Sequence, residues 1–136
     1  EDLNNSRILN LINKEELKEC AANGMDIELH THRHRFPTNA KKAAKEITKN
    51  RAKIDPLLPK PMSHFCYPSG EWSEEHWPIL ESQNIKTSTT CDNGLITAET
   101  PVHAWSRFLD SARISQIEYE SELCGFTELL RKIRGQ

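Results

Sequence analysis

Three of the six histidines in this chain, His30, His32 and His34, lie close together in Asp26-Ile-Glu-Leu-His-Thr-His-Arg-His-Arg-Phe-Pro37. Neutral imidazole is the commonest protein ligand for transition metals, so a histidine trio leaving an extended segment is a candidate metal site. Spacing alone equally fits a polar loop whose histidines bond to nearby carbonyls. Glu28 lies two places before His30, and alternation puts both on one side of an extended chain. It is therefore a candidate ligand or buried base, or else the partner of a cation or a histidine; Asp26 reads as structural. A second stretch, Phe65-Cys-Tyr-Pro-Ser-Gly70, carries an apolar run into a proline–glycine turn.

The elements around these stretches place them. Asn13-Lys-Glu-Glu16 has the form of a capping box, and predicts a helix over 14–22 that Asn23-Gly24 closes. Met25, Ile27 and Leu29 alternate with Asp26, Glu28 and His30, which predicts a strand over 25–30. Thr38 or Asn39 caps a second helix running to about Ile54. Ala40, Ala43, Ala44, Ile47 and Ile54 form its apolar stripe, and Lys41, Lys42, Lys45, Lys49 and Arg51 its other face. That basic face reads as solvated rather than as an anion site. After Pro56, Pro59 and Pro61, the run 64–67 suits a short buried strand, Ser73 caps a helix to about Ser82, and 87–90 is β-branched enough for a strand. A loop over 91–104, a short return strand over 105–109, and one helix from the Ser115-Gln-Ile-Glu118 capping box to Arg134 complete the order. Tyr119, Leu123, Phe126, Leu130 and Ile133 would form the stripe of that helix. Alternation of helix and strand predicts an α/β domain with parallel strands, in layers or in a barrel. Active sites of such folds lie at the C-terminal ends of the strands, where both 30–34 and 67–70 fall.

Composition narrows the partners. At 136 residues, 28% charged and net charge −2, the chain has room for one domain with a core and carries no broad basic field, so nucleic acid is not an expected partner. No apolar run is long enough to span a membrane. Cys20, Cys66, Cys91 and Cys124 are widely spaced and read as isolated thiols, with Cys66 a small buried hydrophobe.

With these motifs in order, the chain resembles the polysaccharide deacetylases, carbohydrate esterase family four. His30-Thr-His-Arg-His34 is similar to that family's His-Ser/Thr-x-x-His motif, and Phe65-Cys-Tyr-Pro-Ser-Gly70 with Glu71-Trp-Ser to the Phe-Ala-Tyr-Pro-x-Gly form of its third motif. The segment from Lys14-Glu-Glu-Leu to Gly24-Met-Asp-Ile-Glu-Leu, and Gly94-Leu95 after the threonine-rich strand, also fit; the likeness covers about residues 10–134. The resemblance implies a (β/α) barrel-like deacetylase fold, present here without its N-terminal strands. It implies a divalent metal, with zinc the expected ion, held by His30 and His34. Thr31 would support the loop, and His32 and Arg33 would sit at the rim, His32 as a candidate substrate contact. Tyr67, Pro68 and Gly70 would wall the groove, with the Ser69 backbone N–H donating to the oxyanion. Trp72 would be the ring that stacks on a sugar, ahead of Trp77 and Trp105. The implied reaction is hydrolysis of acetyl groups from N-acetylated sugars of a polysaccharide.

Two family motifs are missing. The Thr-Phe-Asp-Asp motif, which would supply a third ligand and the base, belongs further upstream of His30 than the 29 residues that precede it, and Leu-x-His is absent after Leu123. Cys66 stands where many members have Arg, Ser69 where they have Tyr, and Glu28 where a small residue is usual. We therefore expect a single domain over 1–136 that is the C-terminal part of a deacetylase domain, inactive alone, whose open side self-associates or is covered by the missing segment. His103 is a candidate replacement acid; His64 and His76 read as packing or surface residues. Arg107 either orients an acidic group in the groove or pairs with Asp110. A carbohydrate-binding remnant without turnover, and a structural domain with fortuitous histidines, are the competing readings.

Overall fold

Asn13 opens helix α1 (Lys14–Ala22) as a complete capping box: its side chain accepts from the Glu15 and Glu16 amides, and Glu16 accepts from the Asn13 amide. Asn39 does the same work for α2 (Ala40–Ile54), accepting from the Lys42 amide at 3.0 Å. These caps satisfy amide donors that a helix start leaves without partners. The computed structural model of the chain describes residues 11–135.

Two parallel strands, β1 (His64–Cys66) and β2 (Thr87–Thr89), pair with Phe65 opposite Ser88. On either side the ladder extends by single parallel bridges, Leu29 to Phe65 and Thr89 to Trp105. Four chain segments therefore run in one direction, as the alternating sequence predicts. The strands expected over 25–30 and 105–109 shrink to these bridges. Only the Leu29 backbone joins the ladder, donating to the His64 carbonyl and accepting from the Cys66 amide. Glu28 explains part of this: its carboxylate takes the Ser63 and His64 amides at 2.7 and 2.8 Å, so a side chain stands where a backbone carbonyl would continue the pairing.

The core is Leu29, Ile47, Met62, Phe65, Tyr67, Leu80 and Ile85, with Phe36, Trp72 and Trp77 packed on its edge. Each such side chain removed from water contributes roughly 1.5–3 kcal/mol. Helix α3 (Trp77–Ser82) follows a 3-10 turn at Glu74–His76, with Pro78 near its N-terminus. Proline is tolerated there because the first helical amides have no intrahelical acceptor. The helix thus starts later than Ser73, whose hydroxyl faces His76 Nδ1 at 3.4 Å instead.

The final helix also departs from expectation. It is two helices, α4 (Gln116–Leu123) and α5 (Phe126–Arg134), broken at Gly125 with φ +79°. Arg131 of α5 ties them together through Glu122 of α4, and also pairs with Glu128 within its own helix. No residue of either helix is buried, and Tyr119, Leu123, Phe126 and Ile133 of the expected apolar face lie exposed, with Leu130 half-buried. Among the described residues no helix is long and apolar enough to cross a membrane.

Candidate metal-binding and hydrolytic site

The four parallel segments bring His30, Tyr67, Thr90 and Ser106 to one end of the sheet, each the first residue past a paired one. At this end the chain turns sharply. Thr31 and His34 both take left-handed backbone conformations, φ +65° and +53°. Non-glycine residues hold that conformation only where surroundings impose it. The imposing contacts are visible: the Thr31 hydroxyl, itself buried, accepts from the Arg35 amide at 3.1 Å, and Asn50 of α2 accepts from the His30 amide at 3.1 Å. Thr31 therefore closes the loop, the part expected of it.

The turn brings the His30 and His34 rings together, centroids 4.8 Å apart and steeply inclined. His30 Nδ1 lies 2.8 Å from the Cys66 carbonyl oxygen. A carbonyl can only accept, so Nδ1 carries the proton and Nε2 keeps its lone pair. This is the tautomer and the outer hydrogen bond that metal-ligating histidines use. The donor set fits a borderline cation at two positions. Among the described residues, no third His, Cys, Asp or Glu joins them. Glu28 is not the missing ligand: its Oε2 accepts from the Ser63 and His64 amides at the start of β1, whereas His30 is anchored on the Cys66 carbonyl at its end.

His32 is exposed beside this pair, and Arg33 runs back to Glu46, donating from Nε at 3.0 Å. That guanidinium holds the Glu46 carboxyl below the usual range, although the carboxylate is almost wholly buried in α2. Pro68 and Ser69 share a cavity of about 720 Å³ with His34 and Glu71. Ser69 is left-handed at φ +57°; the Gly70 and Glu71 amides are taken by the Tyr67 and Pro68 carbonyls, which leaves the Ser69 N–H outside the turn's own hydrogen bonds.

Other expected contacts fall elsewhere. Tyr67 does not wall the groove with its ring: it is fully buried, its hydroxyl donates to the His103 carbonyl at 2.9 Å, and burial pushes its phenol up to about 12. Gly70 backs onto Cys91, where any Cβ would sit 2.6 Å from the Cys91 Cβ. Trp72 is half-buried, donates to Asp92 at 2.8 Å, and stacks on Trp77 with rings 7° from parallel. Arg107 donates to the Cys91 thiol at 3.3 Å with Cys66 nearby, instead of pairing with Asp110, and its Nε is buried without a partner among the described residues. Cys66 is half-buried beside that guanidinium. This thiol–guanidinium group at the strand ends carried no sequence signal, since its residues are 25 and 16 places apart.

His103 is also interior, with Nδ1 3.1 Å from the Ser88 hydroxyl, and burial pushes its imidazole below the usual value of 6.5. An imidazole kept neutral in the fold gains a proton on unfolding, so its contribution is present above about 6.5 and lost as pH falls through the depressed value. Glu46 acts lower, with stability present above 4.5 and lost on further acidification. We expect the melting temperature to fall from roughly pH 7 to pH 5. The His103→Gln variant should show a shallower fall over that range than the wild type. An identical slope in the variant would place the titrating group elsewhere.

Comparison with known proteins agrees with this fold. A family model described as polysaccharide deacetylase matches residues 4–88, a span that includes both the histidine loop and the 65–70 turn. Among solved structures, the Streptococcus pyogenes deacetylase PplD in complex with acetate is similar at TM-score 0.74 and 19% identity, over 82% of this chain and 50% of that one. A Bacillus cereus polysaccharide deacetylase is similar at 0.73 and 19%, over 85% of this chain and 38% of that one. The chain thus spans half or less of these structures. No curated protein matches it.

Proposed function

Since the chain belongs to the polysaccharide deacetylase family, we propose that it supplies the two-histidine part of a metal-dependent site that hydrolyses acetamido groups on a polysaccharide. The observation that carries this reading is the His30–His34 pair, with His30 Nδ1 anchored on the Cys66 carbonyl and Nε2 left free to ligate. The metal would be a divalent ion, zinc by preference of an imidazole-rich site, completed by a carboxylate from outside the described residues.

When bound, such an ion polarises the acetyl carbonyl and lowers the pKa of water. The residues of this chain do the rest of the positioning. His30 and His34 would fix the ion against the end of β1, the strand that ends at Cys66. Thr31 and Asn50 hold the loop in its left-handed turn. The Ser69 N–H, outside the turn's own hydrogen bonds, would donate to an oxyanion, a backbone role that needs no particular side chain. His103, buried and neutral, is poorly suited to protonate a leaving amine, and we assign that step to no described residue. The test is acetate release from N-acetylchitopentaose by the protein at its natural length. Activity should depend on added zinc or cobalt and vanish in the His30→Ala/His34→Ala variant; acetate release equal to wild type in that variant would sink the proposal.

A further inference from the structure

The cavity beside His34 has an unbalanced wall. Arg33, Arg35, Lys42, Lys45 and Lys49 line it against only Glu46 and Glu71, in a chain whose net charge is −2. Glu46 is already neutralised by Arg33. Among the described residues, Lys42, Lys45 and Lys49 have no carboxylate partner, and spacings of three and four residues stack them on one face of α2. Over seven residues the row runs about 10 Å, enough to pass more than one sugar unit. A solvated helix face would explain charge alone. It does not explain why the row lines the same concave cavity as His34, Pro68 and Ser69. Concave walls of one sign concentrate oppositely charged ligands.

We propose that this cavity selects an N-acetylated polysaccharide that also carries negative charges, as carboxylates or phosphates, laid along Lys42, Lys45 and Lys49 while one acetamido group reaches His34 and Ser69. The inference rests on the deacetylase reading and names the substrate class of that site.

Binding of the chain would be measured to three probes: neutral N-acetylchitotetraose, a tetrasaccharide alternating N-acetylglucosamine with glucuronate, and N-acetylchitotetraose phosphorylated at one O6. At low salt at least one anionic probe should bind about tenfold or more tighter than the neutral one, and the two anionic arms tell carboxylate from phosphate. The preference should fade as salt screens it and disappear in Lys42→Gln/Lys45→Gln/Lys49→Gln, whose exposed helix positions tolerate glutamine. Equal binding of neutral and anionic probes, binding of none, an unchanged triple variant, or tighter binding of a single-stranded DNA oligonucleotide than of either sugar anion would overturn the proposal. Zinc uptake is read in parallel and should be unaffected by the lysine changes. Intact uptake without the anion preference overturns this inference alone; an anion preference without uptake overturns the metal-site reading and leaves a groove for charged glycans.

Discussion

Titrated with zinc after removal of metal, the chain is expected to take up one ion through His30 and His34, and to lose it in the His30→Ala/His34→Ala variant. Each single substitution should weaken uptake by more than the roughly 10–100-fold that loss of an outer hydrogen-bond partner costs a metal site. The reason is the small donor set: with two imidazoles, removal of one leaves a lone ligand of ordinary affinity. The His32→Ala variant provides the contrast. His32 is exposed and is not in ring contact with the pair, so its loss should leave uptake near wild type. If the double variant binds zinc as tightly as the wild type, the ion is held elsewhere and the paired rings are a packing feature.

How much of this was legible in the residues follows from what each signal depends on. Local signals held: both capping boxes, the Asn39 cap and the helix over 14–22 stand where side chains within four residues dictate them. The parallel order held because alternation of helix and strand restricts topology. The exposed face of α4 and α5 was not legible as such: an apolar stripe records a preference for burial, and nothing local says whether a neighbour is there to meet it. Their break was readable in principle, as Cys124-Gly125, since glycine at φ +79° ends a helix and costs one in mid-helix. Long-range partners were the blind spot. That Glu28 would hold the amides of Ser63 and His64, and that Arg107 would turn to Cys91, depends on segments brought together by folding. The approach of the His30 and His34 rings escaped that limit because the two residues are four apart, whereas the Cys66 carbonyl that anchors His30 is a long-range partner.

The Gly70→Ala substitution is expected to be the most damaging single change at the site, for two separable reasons. Gly70 has φ +70°, a conformation that costs an L-residue roughly 1–2 kcal/mol. Its missing Cβ would also lie 2.6 Å from Cys91 Cβ and 2.8 Å from Cys91 Sγ, an overlap that forces the β1–α3 turn away from the strand end. Overpacking of that kind costs about 1–3 kcal/mol. Together the two come to about 2–5 kcal/mol, or a fall in melting temperature of roughly 8–20 °C for a chain of this size. A double-mutant cycle separates them. In a Cys91→Gly background both side-chain contacts are gone and only the residue 91 amide nitrogen, 3.2 Å from the new Cβ, stays close, so adding Gly70→Ala should cost little beyond the backbone strain, about 1–2 kcal/mol. An undiminished cost in that background would mean that strain, rather than the approach of Cys91, is what reserves the position for glycine. The same comparison bears on function: relief of the overlap should return the Ser69 amide towards the cavity, and with it the affinity for N-acetylated oligosaccharide that Gly70→Ala alone removes.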